Sequence, residues 1–572
     1  MSEDILDPLD FYAHHLKAEH AKNVSAFFEK LVEKSGIDAV KNTETILALQ
    51  AVAEKRKAKF KRYLGLKIIL GIQIVLSLGL AIYLWNSLEQ DFCWLAVVPL
   101  IIFLPFIYWV LRQINALKPE LNDLKAQVDA MLAKAWEELS SLNDLFTWDI
   151  ALELVAQSFP GMRFDKYFNN ARIQEMHEQF GFDANLGKDH SILHTHSGSF
   201  NGNPFILAKT LGHWMGSKTY QGSLSIRWTT QRRNAEGKLE TVTHHETLRA
   251  SVTEPFPEYA TESFIVYANE AAPELSFSRV PSKLSSLGDG KLDRFRKNRA
   301  IRKLEKKSLK SNQNFTVMAN REFESLFGAE DRDNEVQFRL LFTPLAQVQM
   351  VKLLKDKVIG HGDDFSFNKN GMINILSTDA LKNTDIDGNP EKFRHYDLAE
   401  IRKFFNQYHH DFMYAFYFSF APLLTVPFYR QHRSHQEIYK DTYGKRPCFW
   451  VHESIANDYG ENKFAHAESV TRNILKTTVQ ENAEGVENVR VTAYGFKAVQ
   501  RRTYINVRGG DGRTHQVPVD WVEYLPVAES SSMLVGQENE NAENALPKGF
   551  ETYGLSEKAL SRRRSLFSAR IS

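Results

Sequence analysis

LGLKIILGIQIVLSLGLAIYLW, residues 64–85, holds one charged residue in twenty-two, and FCWLAVVPLIIFLPFIYWVL, residues 92–111, holds none in twenty. As helices, both are long enough to cross a hydrocarbon core about 30 Å thick. Aromatic residues that favour the headgroup region stand towards their ends: Tyr63, Tyr83 and Trp85 on the first, Trp94, Tyr108 and Trp109 on the second. Lys67 lies close enough to its end to snorkel outward. The pair reads as a transmembrane helical hairpin, because a buried hairpin of a soluble protein rarely needs such lengths. The joining NSLEQD leaves no room for an external domain.

Orientation follows from the flanks, since positive charge is retained on the cytoplasmic side. KRKAKFKR, residues 55–62, has six basic residues of eight, and Arg112, Lys118 and Lys125 follow the second span. Both termini are therefore expected in the cytoplasm, with the protein in the cell membrane as a two-span chain, in a bacterium the inner membrane. The N-terminal MSEDILDPLDFYAHHL has acids where a secretory signal has positive charge and lacks a short apolar core, so membrane entry is expected to begin at residue 64.

The chain's 572 residues suggest two to four domains of about 100 to 200 residues. Its formal net charge of +1 gives no global attraction to nucleic acid, so any electrostatic binding must be local. Two cysteines, Cys93 and Cys448, are too few for a disulfide framework or a four-cysteine zinc site.

The fold class expected is α+β. Residues 1–63 read as a cytoplasmic helical region, 64–111 as the hairpin, and 112–160 as a helical stalk with a leucine stripe running from Leu117 and Leu121 to Leu139 and Leu142. Short β-branched runs between Gly, Asn and Pro make 161–285 an antiparallel β-rich domain, in which NAEGK joins SLSIRWTT to TVTHHETLRASVT as a hairpin loop. A basic segment, 286–312, leads to an α+β continuation, 313–394, whose REFESLFGAEDRDNEVQFRLLFTPLAQVQMVKLLKD reads as helix and whose FSFNKNG and MINIL read as strands. A C-terminal α+β unit, 395–527, contains a GGDG hairpin turn, and the polar 528–572 reads as a mostly disordered tail.

The order of two spans, GSFNGNPFILAK with KTYQGSLSI, then the FESLFGAEDRDNE region with its Leu-Phe-Thr-Pro step, then FSFNKNGMINIL, resembles a bacterial family of uncharacterised two-span membrane proteins. The likeness covers roughly residues 10–380. It implies membrane anchoring and transfers no activity, cofactor or active-site residue.

Candidate chemistry is thin. His194 and His196 alternate on a strand and are expected on one face, but two ligands do not make a metal site; His244, His245, His409, His410, His432 and His435 read as ordinary sheet or surface histidines. NTDIDGNPEKFR, residues 383–394, has Asn383, Asp385, Asp387 and Gly388 at calcium-loop positions, but Arg394 stands where a bidentate Glu belongs, so it reads as a polar turn. GHGDD, residues 360–364, offers His361, Asp363 and Asp364 for acid and base work. GxxxxGK[ST], GxGxxG between strand and helix, and GxSxG are absent. No catalytic, cofactor-binding or metal residue is assigned.

Lys291 to Lys310 has ten basic residues against two acids and reads as a solvated linker, with anionic lipid or nucleic acid as alternatives. FMYAFYFSFAPLLTVPFY, residues 412–429, is uncharged for eighteen residues but contains Pro422 and Pro427; a buried strand in a soluble core is expected, with an interfacial patch or a third span as alternatives. The function expected is membrane-anchored binding or scaffolding, through membrane lipid and a protein partner, with nucleic acid disfavoured. A membrane-tethered hydrolase using His361, Asp363 and Asp364, or a transport accessory, is the alternative.

Overall fold

A computed structural model of the chain describes residues 7–86, 94–165, 168–233, 238–285, 317–431, 446–483, 486–537, 562–564 and 567–571, with isolated positions between 290 and 306. It is α+β and divides into two compact units, one comprising 22–147 with 389–409, the other 1–21, 148–388 and 410–572.

The chain begins with α1 (Pro8–Phe11), a π-helical turn and α2 (Lys17–Ser35), which ends at Gly36 with φ +64°. The Asp38 carboxylate accepts the backbone N–H groups of Val40 and Lys41 and so starts α3 (Ala39–Asn86). In the smaller unit α3 pairs with α4 (Trp94–Glu138) through Ile46, Leu49, Val128 and Ala135, and Lys59 bonds Glu120 at 2.7 Å farther along. Of the stalk's apolar stripe, Val128 is buried in this helix pair with Met131 and Leu132 packed against it, while Leu139 and Leu142, also buried, lie beyond the end of α4.

Among the described residues one helix, α3, is long and apolar enough to cross a membrane. Its apolar side chains lie outward: Ile68, Ile72 and Leu78 are all exposed, and Val75 is 69% exposed. The second apolar stretch starts α4 at Trp94, but the surroundings of its residues up to 104, and residues 87–93 altogether, lie outside the described residues.

The larger unit is built on a seven-stranded antiparallel sheet: β1 (Met162–Phe164), β2 (His190–Phe200), β3 (Asn203–Arg233), β4 (Leu239–Ala268), β5 (Ser276–Arg279), β6 (Phe365–Asn370) and β7 (Ile373–Thr378), in the order β1-β2-β3-β4-β7-β6-β5. Asn201 and Gly202, both with positive φ, make the two-residue turn between β2 and β3. A second sheet contains β8 (Ile474–Ala483), β9 (Val486–Arg508), β10 (Thr514–Gln537), β11 (Arg562–Arg564) and β12 (Phe567–Ile571), ordered β11-β12-β10-β9-β8. β10 runs to Gln537, ten residues into the segment expected to be disordered, because Ala528 to Gly536 continue the ladder with β9.

On one face of the large sheet lie α7 (Asn170–Phe180) and α14 (Phe449–Tyr459), reached after α5 (Ser140–Asn143) and α6 (Ile150–Ser158) earlier in the chain. Trp450 is fully buried there, its ring edge-on to Phe168, Phe182 and Phe264 and its Nε1 bonded to the Ala184 carbonyl at 3.0 Å. The stretch expected as one helix from Arg321 onward is three: α8 (Arg321–Phe327), α9 (Glu335–Leu341) and α10 (Pro344–Lys355). Gly328 with φ +71° ends the first, Asn334 caps the second, and Thr343 followed by Pro344 starts the third. Short α11 (Asp379–Asn383) follows β7.

FMYAFYFSFAPLLTVPFY is not a strand. It lies mostly in α12 (Leu398–Leu424) and in α13 (Phe428–Gln431), with Phe416, Tyr417, Phe420 and Ala421 fully buried. Phe416 and Phe420 pack on Phe205 of β3, so the apolar run faces protein. Pro422 removes the N–H that would bond the Phe418 carbonyl, and the helix ends two residues later at Leu424.

The largest departure is strand length. Gly216, Gly222, Pro255 and Pro257 punctuate the sequence like strand ends, yet β3 and β4 pair without a break from Phe205↔Tyr267 to Arg233↔Leu239. The prolines stand where β4 is paired on one side only, and a missing N–H is tolerated at such an edge. β9 and β10 likewise pair from Val486↔Gly536 to Arg508↔Thr514. Both hairpins turn where expected, although residues 234–237 of NAEGK lie outside the described residues. The two ribbons stack: Gly222 lies on the Pro518 carbonyl, Phe256 meets Tyr524 edge-on, and the Gly510 N–H donates to Glu246 at 2.6 Å. At about 3.3 Å per residue, the overlap makes a two-layer β arm several tens of ångströms long.

Candidate functional site

GHGDD does not form one constellation. Asp363 turns away from His361 and pairs with the fully buried Arg279, also accepting the Ser282 N–H at 2.9 Å. It holds β5 against β6 in a nest where Arg279 also lies over the Phe365 ring. His361 stands edge-on to Tyr414 at 4.5 Å and near Phe418, and burial outweighs the nearby Asp364 and Asp356 to lower its pKa. Asp364 accepts the Ala380 N–H at 2.9 Å at the start of α11, and its pKa is raised chiefly by burial. His361 and Asp364 share a cavity of about 10 Å³ with Gly362, Thr378 and Phe418. That is space for about one water molecule, too little for a substrate.

A larger, open cleft of about 460 Å³ lies between α1 and α10, lined by Asp7, Asp10, His14, Lys352, Lys355 and Asp356. Both of its lysines are already paired, Lys352 to Asp7 at 2.9 Å and Lys355 to Glu322 at 3.0 Å, and the His14 ring lies 3.5 Å from Asp10. Asp356 accepts the N–H groups of Val358, Ile359 and Gly360. Such a surface offers little uncompensated charge to a ligand.

His194 and His196 share one face of β2, as their alternation requires, with Nε2 atoms 2.6 Å apart in the interior. Burial lowers the His196 pKa to about 4, so that ring is neutral at pH 7. Two nitrogens this close cannot both be ligands of one tetrahedral ion with bonds of about 2.0 Å. Among the described residues no group of three or more His, Cys, Asp or Glu could hold a metal. The calcium-like segment is a turn: Asn383 ends α11, Gly388 has φ +63°, and Pro390–Lys392 forms a 3₁₀ turn. His244 stacks on Trp228 and bonds Thr230 at 2.8 Å, while His245 lies exposed on the opposite face of the same strand. His409 is buried against Phe393, and His410 bonds Asp411 at 3.1 Å. His432 and His435 lie outside the described residues, as does most of 291–310.

Sequence reasoning passed over the outer face of the β3–β4 ribbon. From Thr219 to Arg233 every odd-numbered residue is exposed, and so are its cross-strand partners from Thr253 back to Leu239. The face reads Thr219–Thr253, Gln221–Ser251, Ser223–Arg249, Ser225–Thr247, Arg227–His245, Thr229–Thr243, Gln231–Thr241 and Arg233–Leu239. It has three arginines, a histidine and no carboxylate. The alternate residues Leu224, Ile226 and Trp228 are half-buried towards the other ribbon. The period-two alternation of hydroxyl residues was visible in the sequence; its length was not, because the glycines broke the pattern.

No family model, no curated protein and no solved structure matches this chain.

Proposed function

We propose that this chain is an integral membrane protein that binds a partner through a rigid β arm. The arm carries the reading: two stacked hairpins of this length bury little beyond each other and present an extended polar face, which suits recognition better than core formation. The outward apolar side chains of α3 support anchoring. With the basic flank at 55–62, the proposed topology has two spans, 64–85 and 92–111, and cytoplasmic termini. Lipid surrounds the spans, and the basic residues 291–310 are the proposed contact with anionic headgroups.

Fractionation tests the anchoring. The full chain should stay with membranes through an alkaline wash and leave them only with detergent; release by alkali rejects the reading. Reporter fusions at residues 7 and 537 should both report the cytoplasm, and an extracytoplasmic signal from either overturns the topology. Replacing the basic residues of 291–310 by Gln should weaken flotation with anionic vesicles at low salt, and unchanged flotation removes that contact.

A further inference from the structure

The arm's two outer faces differ in how their charges are held. On the β9–β10 ribbon two arginines are matched to acids, Arg502 to Asp520 at 2.6 Å on the outer face and Arg501, on the opposite face of the strand, to Glu523 at 2.8 Å, while Arg508 has no ion pair among the described residues. Such pairs are the ordinary state of a solvated sheet face. On the β3–β4 ribbon, Arg227, Arg233 and Arg249 are exposed and have no ion pair or side-chain hydrogen bond among the described residues. Their cross-strand neighbours are His245, Leu239 and Ser223. Between them stand only hydroxyl and amide side chains, with Thr219 bonded to Thr253 at 2.9 Å and Ser225 to Thr247 at 3.3 Å.

We propose that this face binds the phosphodiester backbone of a nucleic-acid duplex. The inference rests on the reading of the arm as the binding element and names its ligand class. Arg, Ser, Thr and Gln are side chains that contact phosphate and sugar without reading sequence. The strand from Thr219 to Arg233 spans about 46 Å, a length over which a duplex presents many phosphates. Single strands are bound on aromatic platforms, and none of the eight cross-strand pairs of this face contains Phe, Tyr or Trp, with His245 its one ring. A lipid surface is the poorer match, because docking on a bilayer draws on buried apolar area and Leu239 is the one large apolar side chain among these pairs. The chain's net charge of +1 conceals this local excess, since carboxylates gather elsewhere.

The test uses the full chain in zwitterionic detergent micelles and a fluorescent 30-base-pair duplex, as DNA and as RNA. Anisotropy should show binding at 50 mM salt that weakens as salt rises. The triple variant Arg227→Gln, Arg233→Gln, Arg249→Gln should bind at least tenfold more weakly and lower the slope of log K against log salt by roughly three, about 0.9 for each phosphate left without its arginine. Arg501→Gln with Arg502→Gln should leave both unchanged. Absence of duplex binding at 50 mM salt, or binding that the triple variant leaves intact, overturns the proposal. So does preference for a single strand, or triple-sensitive binding to anionic vesicles in place of the duplex. The triple variant should still fractionate with membranes, so failure of the anchoring and failure of the ligand assignment read out separately.

Discussion

Nε2 of His194 lies 2.6 Å from Nε2 of His196 within the large sheet, with the Phe164 ring edge-on to His196. One imidazole must donate and the other accept, an arrangement that a second proton destroys. His196 has a folded pKa of about 4 against about 6.5 when unfolded. Between those values the unfolded chain binds a proton that the folded chain refuses, so stability rises with pH across the window and is lost as pH falls from 6.5 towards 4. The shift corresponds to about 3 kcal/mol. Denaturant midpoints of the full chain in detergent should therefore fall from pH 7 to pH 4.5, and His196→Gln should flatten part of that decline. An identical decline in the variant would remove this pair from the account.

The Arg279–Asp363 pair gives a second prediction, because Arg279 is fully buried and its charge has Asp363 as its carboxylate partner. Asp363→Ala strands the guanidinium and should cost about 3 to 5 kcal/mol. Adding Arg279→Met should recover most of that loss, which a midpoint shift in urea would show. If the double variant is no better than Asp363→Ala, the partner of Arg279 has been misidentified.

What the sequence disclosed follows from these particulars. Strict alternation put His194 and His196 on one face, and NAEGK and GGDG marked the two hairpin turns, because those signals are local. Tertiary contacts decided the rest. An uncharged run such as 412–429 cannot be told as strand or buried helix by periodicity. Nothing local to Gly222 tells that the Pro518 carbonyl, 296 positions away in the chain, lies against it. Asp363 looked like a catalytic neighbour of His361 for want of any hint that Arg279 would claim it.

Gly222 thereby becomes a test of the arm. Any Cβ there would strike the Pro518 carbonyl and the Val519 backbone, neither of which can rotate aside. Gly222→Val should force the ribbons apart at a cost of about 1 to 3 kcal/mol. Amide exchange should quicken in 217–230 and 503–519 while the sheet around Phe205 and Ile265 stays protected. Unchanged exchange in both ribbons would show that they do not stack through this point.

Asp364 separates a structural role from a chemical one. Its carboxyl is half-buried, accepts the Ala380 N–H, and has its pKa raised chiefly by burial. A raised carboxyl pKa means that the folded chain holds the proton longer than the unfolded one, so this group's contribution falls as pH rises through the shifted range, opposite in sign to His196. Asp364→Asn keeps an acceptor for Ala380 and removes the buried charge, and it should be neutral or slightly stabilising at pH 7. Asp364→Ala loses the acceptor at the start of α11 and should cost about 1 kcal/mol. A hydrolase working through Asp364 would lose its activity in both variants. A binding protein should keep its phenotype in Asp364→Asn, and equal loss of phenotype in the two, at normal expression and unchanged melting, would return the hydrolase reading to the front.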